Sequence, residues 1–343
     1  MNKGADTQTL LLPHLVPDRS HPRTRASYQS DLLDFNRFAV RTGHGELPEP
    51  PIDGRLLAAY IKDLAARRFR RETIRRRLCA IAAWYRDHGQ TTDPRKHEHV
   101  RRAWDAIKDD EDRKKERSLA ALHTLVYDML DALDADYDTQ IRHPHQAKLT
   151  YLRDRALILV LYFGGLTRTE VATLRRDNVR EYPDAERTLC LLVNPSGDFV
   201  QDGKLVPVSP RRDRLAVLRR GVDPDRCPVR ALSTWLTVAK ITEGYVFRGV
   251  MLNGELTNGL APRSVHEIVT TRMKRIAGTG VDVSQLTTHS LRIGLAGSLA
   301  MAGKTDTEIL RAVGLRSFDG SMQEVVEIGR RLQGPSHRSI RAI

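Results

Sequence analysis

The first third of the chain repeats one pattern that strongly restricts its fold: short amphipathic helices separated by glycine or proline. Apolar residues recur at helical spacing within residues 26–43, 55–68, 71–89 and 97–107. The first and third of these segments end at a glycine, and prolines precede the second. Helices this short need a shared core, which predicts a compact all-α domain over residues 26–109.

A charged stretch without apolar periodicity, KDDEDRKKERSL, follows this domain and predicts an exposed linker over residues 110–118. Residues 119–343 return to apolar helical patterns. Two β-type runs within them, RTLCLLVNP and KLVPVSP, flank SGDFVQDG and predict a hairpin or part of a small three-stranded sheet. The second domain should therefore be mainly helical with a small sheet. Residues 1–25 lack periodicity and are expected to form a flexible arm.

Positive charge dominates the composition and favours a polyanionic partner. The chain of 343 residues has a formal net charge of +13, and neutralising phosphates releases counterions, although charge alone says nothing about sequence specificity. The charge is densest in RRFRRETIRRR, where an arginine cluster accompanies a single glutamate: Arg67, Arg68, Arg70, Arg71, Arg75, Arg76 and Arg77. We expect these side chains to repel one another unless they bind DNA phosphates; the alternative is a solvated helix face.

Other patterns argue against several kinds of site. Cys79, Cys190 and Cys227 lack C-x-x-C spacing, so neither a disulfide framework nor a cysteine metal site is expected. Two loose histidine pairs lie in polar stretches without further ligands, so we expect no metal and no cofactor. No apolar run reaches the length of a membrane span, and no signal peptide precedes the first helix. The expected location is cytoplasmic, on the nucleoid, without a membrane partner.

Two segments of the second domain resemble the catalytic framework of a known family. GGLTRTEVATLRRDNV resembles the first arginine box of the tyrosine recombinases (phage integrases), and HSLRIGLAGSLAMAG resembles their second box, with His289 and Arg292 in an H-x-L-R arrangement. CPVRALSTWL and GYVFR resemble the family's connecting segments. The resemblance covers nearly all of the chain from Ala26. It implies a mainly α, two-domain clamp on duplex DNA, with a small all-α core-binding (SAM-like) domain and an α-rich catalytic-type domain.

The family's chemistry requires a set of groups around the scissile phosphate. Two arginines and a histidine neutralise the transition state, while a hairpin lysine protonates the leaving 5′-oxygen. A second histidine or tryptophan orients the phosphate that a tyrosine attacks. The matching positions in this chain are Thr167, Ser196, His289, Arg292, Leu315 and Glu324. Only His289 and Arg292 keep the family's residue types, and Arg168 and Lys204 are the substitute cations nearest in sequence.

These departures predict a pseudoenzyme: a chain that binds DNA without cleaving it and retains a phosphate contact at His289 and Arg292. No tyrosine follows Tyr245, and Glu324 would repel a phosphate. The resemblance then implies a role linked to mobile genetic elements, as a regulator, an architectural factor or a partner of an active recombinase subunit, with self-association on DNA. The alternative is a working recombinase or integrase whose nucleophile comes from another subunit or from a non-standard residue.

Overall fold

The chain folds into two compact units, Met1–Lys115 and Glu116–Ile343. The structure, a computed structural model, describes residues 22–46, 50–107, 122–139, 142–182, 188–193, 197–201, 204–208, 214–276, 283 and 286–332. The predicted linker over residues 110–118 lies outside these ranges, and so does Ser196. Helices predominate in both units, and within the described ranges the strands belong to the second. The prediction of a mainly α fold with a small sheet is confirmed.

The described part of the first unit contains four α-helices. They are α1 (Pro22–Arg41), α2 (Gly54–Ala66), α3 (Arg71–Asp87) and α4 (Glu98–Asp105), with a 3-10 turn at Pro94–Lys96. The first helix starts inside the segment predicted to be a flexible arm, so that boundary was placed too late. Pro22 explains the earlier start, because proline supplies a helical φ in the first turn, where its missing N–H costs nothing.

The apolar stripes of these helices meet in one core. The rings of Phe35 and Tyr60 contact edge to face, with centroids 5.0 Å apart, and both side chains are fully buried. Ile61, Ile74 and Trp84 complete the contact between α2 and α3. Burying apolar side chains of this size contributes about 1.5–3 kcal/mol each. The shared core therefore stabilises helices that would be too short to persist alone.

The second unit surrounds two central helices. Its helices are α5 (His123–Asp138), α6 (Pro144–Phe163), α7 (Arg168–Thr173), α8 (Pro228–Val238), α9 (Pro262–Arg275), α10 (Thr288–Met301), α11 (Asp306–Val313) and α12 (Gly320–Arg331). The second half of α6 and nearly all of α10 are buried around their full circumference, which places both helices in the interior. Within the described ranges, no helix combines the length and apolarity needed to cross a membrane.

A small antiparallel sheet lies at the side of this helical core. Its strands are β1 (Val179–Glu181), β2 (Leu189–Val193) and β5 (Arg214–Leu218), in the order β1-β2-β5. The hairpin of β3 (Gly197–Gln201) and β4 (Lys204–Val208) lies in the connection between β2 and β5. A small three-stranded sheet is present as predicted, but the two β-type runs do not pair with each other: β2 pairs with β1 and β5, and β4 pairs with β3, which lies in the segment predicted to connect them. Val193 pairs with Arg214 where the sheet ends and this connection begins.

The last described helix, α12, packs closely on α10. A side chain at Gly329 would place its Cβ 2.6 Å from the carbonyl oxygen of Gly297, so the two backbones are in direct contact. Met322 and Val326 of α12 are buried on the same side. This packing fixes which face of α12 remains available to a partner.

Candidate nucleic-acid interface

Carboxylates from other helices neutralise part of the arginine cluster. Arg67 donates to Asp34 at 2.8 Å and to Asp63 at 3.2 Å. Arg77 donates to Asp34 as well and lies 3.8 Å from Asp31. Asp31 and Asp34 belong to α1, and Asp63 belongs to α2. The repulsion expected from the sequence is therefore offset within the folded unit, without any phosphate.

The two carboxylates of α1 respond differently to burial. For Asp34, burial alone would raise the pKa, but hydrogen bonds from Arg67 and from the Tyr60 hydroxyl, at 2.8 Å, outweigh it and the pKa is lowered. Asp31 is only 3% exposed, and there burial prevails over the hydrogen bond and charge of Arg76, so its pKa is raised. Asp34 is thus the acid whose ionised form the cluster stabilises.

The other members of the cluster differ in how exposed they are. The guanidinium of Arg71 lies 4.8 Å from the centroid of the Trp104 ring, a cation–π contact that holds it against α4. Arg68, Arg70 and Arg75 are exposed. Arg70 and Arg75 form no ion pair with a residue in the described ranges. The positive charge available to a partner is therefore concentrated on fewer side chains than the sequence suggests.

Thr167, predicted to stand in the place of the family's first arginine, caps a helix. Its hydroxyl accepts from the Glu170 N–H at 3.2 Å, and Glu170 Oε2 accepts from the Thr167 N–H at 2.7 Å. This capping box starts α7, whose first residue, Arg168, is exposed. Burial lowers the pKa of His266 on α9, and the charge of Arg168 lowers it further. The local fold thus uses Thr167 as a cap and leaves Arg168 at the surface near α9.

The second box forms the start of α10. His289 is exposed in the first turn, and Arg292, one turn later, is only 7% exposed. Arg292 Nη2 donates to the carbonyl oxygens of Val313 and Gly314, the latter at 3.3 Å. Gly314 has a left-handed backbone, with φ of 66°, and ends α11. Arg292 therefore binds the carbonyl groups at the C-terminal end of α11.

A further arginine, absent from the sequence-based predictions, lies between the two boxes. Arg214 Nη1 donates to the carbonyl oxygen of Ala312 at 3.1 Å, and its Nη2 donates to those of Gly165 and Gly164 at 3.2 and 3.3 Å. The same Nη2 lies 3.6 Å from Glu170 Oε2. Burial lowers the pKa of Arg214 and the charge of Glu170 opposes that shift, while an arginine remains charged at neutral pH.

The sequence gives no signal for this residue, because the four residues after Arg214 are all apolar and do not show which face of the strand is buried. Leu215 and Val217 of β5 are 55% and 43% exposed, whereas Ala216 and Leu218 are buried. Side chains two apart in a strand share a face, so Arg214 lies in phase with the buried pair. An arginine on the buried face of a strand requires polar partners inside the protein.

The other residues predicted to be family-equivalent or substitutes lie on separate elements. Leu315 is half-buried and packs against the core of the second unit. Glu324 is exposed on α12, on the side away from the buried Met322 and Val326. Lys204 is the first residue of β4. No group of three or more His, Cys, Asp or Glu side chains in the described ranges is arranged to hold a metal ion.

Comparison with known proteins links this arrangement to DNA recombinases. No family model matches the chain. The chain is 28% identical over 282 residues to the "Integrase/recombinase xerD homolog" of Selenomonas ruminantium, covering 81% of this chain and 73% of the relative.

Two solved DNA complexes have a similar fold. The XerH site-specific recombinase bound to palindromic difH substrate has a TM-score of 0.58 and 14% identity, covering 93% of this chain and 79% of that chain. The Tn1549 transposon integrase bound to transposon right end DNA has a TM-score of 0.58 and 11% identity, covering 93% and 97%. At these identities, the solved structures establish a common fold.

Proposed function

We propose that the chain belongs to the tyrosine recombinase family, binds duplex DNA and does not cleave it. The observation that carries this proposal is Glu324, an exposed carboxylate on α12 at the position that the resemblance assigns to the nucleophilic tyrosine. A carboxylate ~4 Å from a phosphate is repelled by about 4 kcal/mol at an effective dielectric near 20. This repulsion makes Glu324 a poor replacement for a phenol that attacks the phosphate.

Two routes around the missing tyrosine are unfavourable. Tyr245 is the last tyrosine in the sequence, but it is only 7% exposed and its ring lies 5.4 Å from the Arg175 guanidinium. Glu324 could in principle attack as a carboxylate, as in some phosphoryl transfers, but the resulting acyl phosphate would hydrolyse and prevent religation. Neither residue supplies the stable, reversible linkage that strand exchange needs.

Other departures remove stabilisation of the transition state while sparing ground-state binding. The Thr167 hydroxyl is engaged in the helix cap, and the Leu315 side chain offers no hydrogen-bond donor. Removing one oxyanion donor typically costs ~10²–10³ in rate. Binding a ground-state phosphate needs only positive or N–H donors, and His289, Arg292 and the exposed arginines of the cluster can supply these. The role that fits is a regulator, an architectural factor or a partner of an active recombinase.

Duplex binding can be tested with a fluorescein-labelled duplex titrated at increasing salt concentrations. We expect the logarithm of the affinity to fall linearly with the logarithm of salt concentration, by about 0.9 for each phosphate neutralised. An affinity that does not change between low and moderate salt would contradict phosphate binding. If the protein does not bind the duplex at any salt concentration, the proposal is refuted outright.

Absence of cleavage can be tested with a nicked suicide duplex carrying a sequence selected by binding. The natural protein and Glu324→Tyr are both expected to give no covalent protein–DNA band, because Ser196 and Leu315 still lack the donors of the family's lysine and second histidine. Glu327→Tyr, on another exposed position of α12, is the matched control. A band from the natural protein would support a working recombinase with a non-standard nucleophile. A band from Glu324→Tyr alone would show that the other groups remain competent.

A further inference from the structure

We propose that Arg214 supplies the guanidinium that is missing at Thr167, and that it binds one DNA phosphate together with Arg292. This inference rests on the proposed DNA-binding function and specifies how the second unit performs it. The family's first arginine would project from the α6–α7 turn. In this protein, Arg214 at the start of β5 reaches the same turn and donates to the carbonyl oxygens of Gly164 and Gly165.

Glu170 places the Arg214 guanidinium next to the position of the missing side chain. One oxygen, Glu170 Oε2, accepts from the backbone N–H of Thr167 at 2.7 Å and lies 3.6 Å from Arg214 Nη2. A single carboxylate oxygen therefore separates the Arg214 guanidinium from the Thr167 backbone. An arginine side chain extending from residue 167 could reach this same region.

Arg214 and Arg292 also bind neighbouring groups of one turn. Arg214 Nη1 donates to the carbonyl oxygen of Ala312, and Arg292 Nη2 donates to those of the next two residues, Val313 and Gly314. These carbonyl groups are consecutive, so both guanidinium groups are held at the C-terminal end of α11. Two guanidinium groups held at one turn can bind a phosphate by several charge-assisted hydrogen bonds.

Gly314 makes room for Arg214 in this arrangement. A Cβ at Gly314 would lie 2.3 Å from Arg214 Cδ and 2.4 Å from its Nε. The left-handed backbone of Gly314 is also one that residues with a side chain adopt at a cost. The glycine that ends α11 therefore serves two purposes: it turns the chain, and it lets the arginine pass beneath the turn.

The charge of Arg214 is poorly compensated within the described protein. Glu170, at 3.6 Å, is beyond hydrogen-bond distance, and the remaining partners are neutral carbonyl groups. Arg214 Nε is buried and makes no hydrogen bond to a residue in the described ranges. By contrast, the buried Arg153 donates directly to Asp154 at 2.6 Å. A buried cation without a hydrogen-bonded carboxylate is stabilised when an anion approaches, and 13% of the Arg214 side chain remains exposed for such contact.

The experiment measures duplex affinity as a function of salt concentration for the full chain and four variants: Arg214→Ala, Arg214→Lys, Thr167→Arg and the double variant Arg214→Ala/Thr167→Arg. Arg214→Ala should weaken binding about tenfold and reduce the salt slope by about one phosphate. Thr167→Arg alone should raise the affinity little, because Arg214 already occupies the guanidinium position. In the double variant, the new arginine at position 167 should restore most of the affinity and the salt slope that Arg214→Ala loses. Arg226→Ala, which removes an arginine paired with Asp131 and Asp223 in the same unit, is the charge-matched control and should leave the slope unchanged.

The outcomes separate this inference from the proposed function. If the natural protein fails to bind the duplex, the proposed function is refuted. If the natural protein binds and folded Arg214→Ala retains its affinity and slope, only the role of Arg214 is refuted. Failure of Thr167→Arg to restore the double variant would likewise overturn it. Circular dichroism checks folding. If Arg214→Ala is unfolded, Arg214→Lys decides the question: weaker binding with the natural slope supports the proposal, and unchanged affinity refutes it.

Discussion

The arginine cluster of the first unit and the arginine pair of the second differ in what surrounds their guanidinium groups. In the cluster, Arg67 and Arg77 share the carboxylate of Asp34. In the pair, Arg214 and Arg292 hydrogen-bond to backbone carbonyl groups. Carboxylates cancel a positive charge, whereas carbonyl dipoles orient a guanidinium without cancelling its net charge.

This difference shows that the density of charge in a sequence is a poor guide to the charge available for binding. The cluster contributes most of the formal charge of its segment, yet its folded unit satisfies several members internally. The pair is contributed by residues far apart in sequence, and within the described ranges Arg214 has no carboxylate within hydrogen-bond distance. We therefore expect the cluster to tolerate loss of single arginines better than the pair does.

The largest effect is expected from crowding the arginine pair. Gly314→Ala adds a Cβ 2.3 Å from Arg214 Cδ at a left-handed backbone position. We predict that it lowers the free energy of unfolding by about 3 kcal/mol, combining backbone strain with overpacking. Urea unfolding measures this value. Gly303→Ala is the control, because Gly303 has φ of 79° and open space around it, so it isolates the backbone cost of about 1 kcal/mol. Equal losses of unfolding free energy in both variants would show that the Arg214 side chain moves aside without a measurable cost.

The next effect concerns the carboxylate that neutralises the cluster. Asp34→Asn removes the negative charge of a carboxylate that accepts hydrogen bonds from Arg67, Arg77 and Tyr60. We predict a loss of about 2 kcal/mol in unfolding free energy, since hydrogen bonds to charged groups contribute about 1.5–3 kcal/mol. Glu72→Gln, at an exposed acid within the cluster, should change stability by less than about 0.5 kcal/mol. A comparable loss in both variants would indicate a general charge effect rather than a specific one.

The same acid predicts a pH dependence. The pKa of Asp34 in the folded protein lies below its ordinary value of 3.8, because hydrogen bonds from Arg67 and Tyr60 outweigh burial. Its contribution to stability is therefore complete above that ordinary value and is lost as the pH falls through the lower folded value. The stability advantage of the natural protein over Asp34→Asn should be constant from neutral pH to about pH 5 and shrink below about pH 4. An advantage that disappears near neutral pH would mean that the folded pKa is raised.

The smallest effect separates exposed from paired arginines within the cluster. Arg75→Ala should weaken duplex binding about threefold and reduce the salt slope, without changing stability. Arg67→Ala should instead lower the unfolding free energy by about 1 kcal/mol, because Arg67 binds Asp34 and Asp63 at a partly exposed site, and should affect DNA binding less. Equal losses of affinity would show that DNA displaces the carboxylates from Arg67.

The features that sequence predicted well depend on near neighbours in the chain. The apolar spacing of residues 55–68 and 71–89 predicted two helices, and the structure forms α2 and α3 there. The glycine at the end of the second of these segments, Gly89, follows α3 with a left-handed backbone, at φ of 71°. The start of α1 at Pro22 was missed, because a proline among polar residues also suits an irregular arm.

The sequence by itself determined the helical periodicity, the small sheet and the absence of a tyrosine after Tyr245. Each of these depends on residue type and on spacings of a few residues. Only the tertiary structure decided which charges are neutralised. Arg67 meets Asp34 across 33 positions, and Arg214 meets the carbonyl group of Ala312 across 98 positions. Such contacts form only when core packing brings distant segments together. This packing placed Arg214, which the sequence did not predict, at the turn that precedes Thr167.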